Sequence, residues 1–161
     1  MIKKFHNDIH GSISFDVVTK RQYNYPNSEI YSSDKSSKGL YINLFLEKNM
    51  YQIEDTIKGT LFIGNPNSTK INWIKIVLIA TERAEDAATS NSRNTYTTLE
   101  TYDNEIINWK ENEDTSFEIK IPEGVSKSYH GRISELYWEV KATVNIHVNE
   151  HLNAIAKIDI L

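Results

Sequence analysis

Residues 121–149 read IPEGVSKSYHGRISELYWEVKATVNIHVN, and from Leu136 onward every second residue is apolar. A helix of 3.6 residues per turn would spread these side chains around its circumference, whereas a β-strand places all of them on one face. The pattern therefore predicts a long strand with one buried face. Its apolar members are Leu136, Trp138, Val140, Ala142, Val144, Ile146 and Val148.

Other parts of the chain repeat this alternation and are separated by turn residues. The sequence Gly64-Asn65-Pro66-Asn67 is a turn signal, and Pro122 ends a strand because proline has no N–H to donate. About eight short strands with turns between them predict an all-β fold, an antiparallel immunoglobulin-like β-sandwich. The further predicted strands are residues 12–18, 40–47, 57–63, 70–82, 117–121 and 154–160, with a polar strand near a sheet edge at 95–102.

Two segments lack strand periodicity. Residues 83–92 (RAEDAATSNS) are predicted to form a helical turn or two followed by a mobile loop. Residues 23–38 are rich in Ser, Asn, Asp and Lys, which predicts a long loop or a partly disordered insertion. The chain has 161 residues, 39% of them hydrophobic, and is long enough for one domain with a sizeable core. We expect residues 1–161 to form a single domain.

Charge and composition narrow the classes of partner. The chain has 18 basic and 22 acidic residues, a formal net charge of −4, so nothing favours nucleic acid or an anionic membrane as a partner. Cysteine is absent, so disulfides and thiolate metal sites are excluded. The first fifteen residues have lysines but no apolar run behind them, and no stretch resembles an integral membrane segment. We expect a soluble, cytoplasmic protein.

Residues 70–82 (KINWIKIVLIATE) differ from the other predicted strands because they are apolar at both parities. A strand of this kind is either covered on both sides or presents an apolar face to a partner. The second face is predicted to bind protein unless residues 5–18 fold over it, and the partner could be a second copy of the chain. That predicted protein-binding face consists of Ile71, Trp73, Val77 and Ile79, opposite Ile74, Ile76, Leu78 and Ala80.

Four sequence elements in order give the chain a family resemblance. Residues 51–61 (YQIEDTIKGTL) form the first, the alternating residues 74–82 the second, and FEIKIP at 117–122 the third. The fourth consists of Ser128, Gly131, Trp138, Val140 and Ala142. Over residues 40–160 the chain resembles the arrestin family, and it is also similar to bacterial sporulation-control proteins of that fold.

The resemblance implies an arrestin-like sandwich that works without enzymatic activity as an intracellular scaffold or adaptor for other proteins, in trafficking or regulation. Typical family members pair two such lobes, whereas this chain has the elements of one. Two positions depart from the family pattern. Ile53-Glu54 stands where Pro-Gly is usual in the first turn, and Ala80 stands where glycine is commoner.

One short motif is the strongest argument for an enzyme. His147, Glu150 and His151 match H-x-x-E-H, in which two histidines about one helical turn apart bind one zinc ion. The motif lies at the end of the longest predicted strand, where a straight strand would separate the histidines by about 13 Å. We expect a turn at 149–153 instead, and a metal-dependent hydrolase is the weaker hypothesis.

Other ligand classes have less support. Glu111, Glu113 and Asp114, with Asp103 and Glu105, are acidic enough for calcium, although solvated loop charge explains them better. Three Trp and nine Tyr leave a carbohydrate-binding module open, which would need an exposed planar row of aromatic rings. No G-x-S-x-G turn, cysteine nucleophile or glycine-rich phosphate loop is present, so we expect no catalytic site and no cofactor.

Overall fold

The computed structural model describes residues 30–32, 36, 38–86, 93–105, 109–147 and 150–161. These residues form ten β-strands, and none of them is helical. Within these ranges, no helix is long and apolar enough to cross a membrane. The strands are β1 (Ile30–Ser32), β2 (Tyr41–Leu46), β3 (Met50–Tyr51), β4 (Thr56–Gly64), β5 (Trp73–Asp86), β6 (Arg93–Glu105), β7 (Asp114–Lys120), β8 (Tyr129–His130), β9 (Ser134–His147) and β10 (Glu150–Ile160).

The strands form two sheets. The four-stranded sheet has the order β1-β2-β4-β7, and the six-stranded sheet has the order β3-β10-β9-β5-β6, with β8 also paired to β9. Every described pair is antiparallel except β3 with β10, which is parallel. The two residues of β3 are thus the exception to the predicted antiparallel pairing.

One hydrophobic core lies between the sheets. Trp138 of β9 is fully buried, and its indole N–H donates to the Ser126 carbonyl oxygen at 2.9 Å. The alternate residues from Leu136 to Ile146 that were predicted to face the core do so, together with apolar residues of β2, β4, β5, β7 and β10. Val148, the last residue of the predicted set, lies outside the described residues. Since both sheets contribute to the same core, the predicted all-β sandwich is confirmed.

The turn before β4 spans residues 52–55 and has Ile53-Glu54 at its centre instead of Pro-Gly. Glu54 has a φ of 71°, the left-handed conformation that glycine adopts without strain at the third position of a type II turn. The Asp55 N–H donates to the Gln52 carbonyl oxygen, and the Asp55 carboxylate accepts the Gln52 N–H, both at 3.1 Å. Lys48 donates to the same carboxylate at 2.8 Å. Side-chain hydrogen bonds therefore support a turn that contains neither proline nor glycine.

Two predicted irregular segments contain strand. Residues 83–86 belong to β5 rather than to a helical turn, because Arg83 and Ala84 pair with β9, so tertiary pairing outweighs local preference. Residues 30–32, inside the predicted insertion at 23–38, pair with β2. The polar strand predicted at 95–102 lies in β6, at the end of the described strand order. The strand predicted at 12–18 lies outside the described residues.

Candidate protein-binding face

Strand β5 separates its two sets of apolar residues as the alternation predicts. Its inner residues are fully buried, whereas Trp73, Val77 and Ile79 lie on the opposite side of the six-stranded sheet. We call this side of β5, β9 and β10 the outer face. Ile71 does not join it, because this residue precedes β5 and packs against the core. The structure thus brings together three of the four predicted residues. Fully buried on the inner side are Ile74, Ile76, Leu78 and Ala80.

The apolar residues of the outer face differ in accessibility. Trp73 is 37% exposed, whereas Val77 is buried and Ile79 is partly buried. Ile155 of β10 is 44% exposed. It pairs with Lys141 of β9, which pairs in turn with Val77 of β5, so the three side chains lie side by side across the strands. Ile155 was not among the predicted residues, although it stands out as the one isoleucine at the polar positions of β10. The accessible apolar surface of this face therefore comes from Trp73 and Ile155.

A hydrogen-bond network centred on Asn145 lies next to Trp73, which pairs with Asn145 across strands β5 and β9. Asn145 of β9 is buried, and its amide oxygen accepts a hydrogen bond from the Asn72 amide nitrogen at 2.7 Å. The Asn145 amide nitrogen donates to the His147 carbonyl oxygen at 2.9 Å and lies 3.1 Å from His151 Nδ1. The His151 and Trp73 rings are 5.8 Å apart and inclined at 40°. We call Asn72, Trp73, Asn145 and His151 the neutral corner.

The two histidines of the H-x-x-E-H motif contribute different groups to the neutral corner, one its ring and the other its backbone carbonyl. Strand β9 ends at His147 and β10 begins at Glu150, which pairs with it, so the predicted turn at 149–153 is too late in the chain. His151 belongs to the neutral corner, whereas His147 contributes its backbone carbonyl. The strands do not supply the two helical histidines that zinc peptidase chemistry needs. In the described part of the chain, no group of three or more ligating side chains could hold a metal.

The calcium and carbohydrate hypotheses find no defining geometry among the described side chains, which do not include those of Asp103 and Glu105. In the acidic segment before β7, Glu113 pairs with Lys110 at 3.4 Å, which is the solvated loop charge expected there. Trp138 is in the core and Trp109 packs against it, which leaves Trp73 as the accessible tryptophan. Tyr129 is also exposed, but it donates to Glu82 near the far end of β5. The described aromatic residues therefore do not form the planar row that a carbohydrate-binding face needs.

Charged side chains link the strands at the other end of the outer face. Arg83 of β5 contacts Glu135 of β9 at 3.0 Å. His130 of β8 lies between two carboxylates, with Nδ1 3.7 Å from Glu135 and Nε2 2.9 Å from Asp159 of β10. We call Arg83, His130, Glu135 and Asp159 the ionic corner. No signal in the sequence connects these four residues, because only strand pairing brings them together.

The ionic corner changes the titration of its histidine. The hydrogen bond and the charge of Asp159 raise the pKa of His130 above its ordinary value of 6.5, and Glu135 adds to this. A cavity of about 190 Å³, lined also by Asn49, Tyr137 and Lys157, opens beside this histidine. The two carboxylates contact opposite ring nitrogens, so the three residues do not converge on one point as metal ligands would.

Solved structures that match the chain share low structural similarity and low sequence identity with it. The chain is similar to the crystal structure of Spo0M, a sporulation control protein from Bacillus subtilis, with a TM-score of 0.49 and 16% identity, over 75% of this chain and 49% of that one. The chain thus spans about half the length of Spo0M.

A second likeness is to β-glucosidase from Listeria innocua. Its complex with gluconolactone matches with a TM-score of 0.27 and 12% identity, over 83% of this chain but 16% of the enzyme. The complex with glucose gives the same values. No family model matches the chain, and no curated protein matches it. None of these TM-scores is high enough for the likeness to bear on function.

Proposed function

We propose that the chain is a non-enzymatic protein-binding scaffold of arrestin-like type, an adaptor of the cytoplasm that binds a partner protein through the outer face. One observation carries the proposal. Trp73 is 37% exposed and stands outside the core, and its ring lies 5.8 Å from the ring of His151 on β10. A binding role accounts for this exposure, and the alternative cover for the face, residues 5–18, lies outside the described residues.

The surroundings of Trp73 suit a protein partner. Tryptophan is among the residues that dominate interface energetics, and an anchor held in position loses little conformational entropy on binding. Around it lie polar groups that are already paired, such as Thr143, which donates to Asn153 at 2.9 Å. Ile155 offers a second apolar contact on the same face. An aromatic anchor inside a polar rim is the usual composition of an interface between proteins.

The test compares the unmodified chain with Trp73→Ala in affinity capture from extracts of the source cells. A protein captured by the first and lost with the second is then purified, and its Kd is measured against both. We expect Trp73→Ala to raise the Kd about tenfold or more, the effect of removing an aromatic anchor. Ile133→Ala is the matched control, since Ile133 is 55% exposed but lies in the turn between β8 and β9.

Three results would contradict the proposal. Equal affinity of Trp73→Ala for the captured protein would show that the outer face is not used. A fall of several degrees in Tm with unchanged binding would make Trp73 a structural residue. Specific binding on a glycan array, with no protein captured, would favour a carbohydrate-binding module. Sedimentation of the unmodified chain shows whether the partner is a second copy.

A further inference from the structure

Strand β8 fills a fork in the six-stranded sheet. Strands β9 and β10 pair until Trp138 reaches Ile158, and beyond that point β9 pairs with β8 instead. The residue before β8, Ser128, donates its N–H to the Ile160 carbonyl oxygen at 2.7 Å, and its hydroxyl accepts the Ile160 N–H at 2.9 Å. A segment of three residues therefore joins two strands that have separated.

His130 is the side-chain link across this fork. Its ring nitrogens face Glu135 on β9 and Asp159 on β10, at 3.7 Å and 2.9 Å. A neutral imidazole has one N–H, so it can donate to one of these carboxylates while its lone pair faces the other. A protonated imidazole has two N–H groups, so it can donate to Asp159 while its second N–H points to Glu135 as an ion pair at 3.7 Å. The link between both strands is therefore complete only when His130 is charged.

The neighbouring charged groups make contacts that differ from this link. Arg83 of β5 contacts Glu135 at 3.0 Å, so Glu135 has both Arg83 and His130 as neighbours. The Asp159 carboxylate contacts His130. Lys157, in the same cavity, lies 4.0 Å from the centre of the Tyr137 ring. Glu82 accepts the Tyr129 hydroxyl at 2.8 Å. Among these described neighbours of the fork, His130 is thus the group that contacts carboxylates of both β9 and β10.

We propose that His130 is a pH-sensitive clasp that closes β8 into the fork when protonated and loosens it when the proton is lost. Loosening β8 affects the core, because the segment before it covers Trp138. The Trp138 indole donates to the Ser126 carbonyl oxygen, and Val125 belongs to the core. The clasp therefore regulates access to one end of the core. This inference is independent of the proposed binding function.

Amide hydrogen exchange of the full chain tests the clasp directly. The Ser128 amide reports on the fork, and the Asn112 amide, which donates to the Ile63 carbonyl oxygen of the four-stranded sheet at 2.8 Å, is an internal control. We expect the protection factor of Ser128 to fall about two- to fivefold between about pH 5.5 and pH 8.5, the scale of exposed ion pairs. The protection factor of Asn112 should stay constant.

His130→Gln separates the clasp from general effects of pH. Glutamine keeps a hydrogen-bonding side chain but does not titrate, so its Ser128 protection should not depend on pH. His130 is itself exposed, with 57% of its side chain accessible, and we expect the variant to fold. A constant Ser128 protection factor in the unmodified chain, or the same fall in His130→Gln, would overturn the proposal. An NMR titration of the His130 ring in the unmodified chain must show its midpoint above that of a free histidine.

Discussion

The neutral corner and the ionic corner join the same strands by different chemistry. Both tie β5, β9 and β10 together on the outer face, one at each end. Asn145 at the first corner is buried, and its partners are amides, a backbone carbonyl and a histidine ring. His130 at the second is mostly exposed, and its partners are carboxylates. The two corners thus differ in the burial of their central residue, since Asn145 is 5% exposed whereas the His130 side chain is 57% exposed.

The physical reason lies in the cost of removing a charge from water. A charged group in the place of Asn145 would lose its hydration, whereas an amide has four hydrogen-bonding positions and no net charge. At the ionic corner water solvates the charges, so ions cost little there and also contribute little. We therefore expect Asn145 of the neutral corner to stabilise the fold more, by an amount that does not depend on salt. The ionic corner should contribute less and respond to both salt and pH.

The largest effect is expected from Asn145→Ala. The substitution removes the hydrogen bonds of a buried amide and leaves the Asn72 side chain without its closest partner. We expect the free energy of unfolding to fall by about 2–3 kcal/mol and the Tm by about 5–10 °C. Urea and thermal unfolding measure both quantities.

The control for this prediction is Asn153→Ala, the same chemical change at an exposed residue of β10. The Asn153 side chain accepts one hydrogen bond from Thr143 at the surface, and its removal should cost less than about 0.5 kcal/mol. If the two variants lost the same stability, burial would not be what distinguishes the neutral corner.

A smaller, salt-dependent effect is expected from Arg83→Gln at the ionic corner. The Arg83 side chain is 37% exposed and that of Glu135 24%, so solvent screens their interaction. We expect a loss of about 0.5 kcal/mol at low salt that largely disappears at about 1 M NaCl. Urea unfolding at both salt concentrations measures it. The loss caused by Asn145→Ala should be the same at both, and a loss that also vanished in salt would remove the proposed contrast.

The sequence predicts the parts of these corners that follow from periodicity. The alternation of β9 predicts its inner residues, and the double alternation of 70–82 predicts that Trp73 lies on the outer side of β5. Both predictions use only the spacing of apolar residues two positions apart within one strand. This spacing can be read from the sequence without knowing which strands lie next to it. Ile155 is predictable by the same rule, as an apolar residue at a polar parity of β10.

The linkages between strands are not predictable from the sequence in the same way. Asn145 lies at one of the alternate positions of β9 that face outward and hold polar residues. It is nevertheless buried, because Asn72 and His151 approach it from the ends of two other strands. His151 forms an apparent metal motif with His147, but the hairpin places them on different strands. The four residues of the ionic corner span 77 positions, from Arg83 to Asp159. Register, which the sequence does not display, decides all three outcomes.

The smallest effect is expected in the pH dependence of global stability. The pKa of His130 is raised in the folded protein, so its contribution is fully present below the unfolded value of 6.5 and is lost as the pH rises through the folded value. The unmodified chain should therefore exceed His130→Gln in stability by more at about pH 5.5 than at about pH 8.5. Because the side chain is 57% exposed, we expect this difference to change by only a few tenths of a kcal/mol.

Urea unfolding of both chains at the two pH values measures this change, since the titration of all other groups largely cancels in the difference. Asp159→Asn is the complementary variant, because Asp159 is the main cause of the raised pKa. In that background the pH dependence caused by His130 should shrink, with Glu135 as the remaining carboxylate beside the ring. The opposite result, in which the unmodified chain exceeds His130→Gln in stability by more at the higher pH, would mean that the folded state favours the neutral His130 ring. The contact of His130 with Asp159 would then be a hydrogen bond from the neutral ring rather than an ion pair.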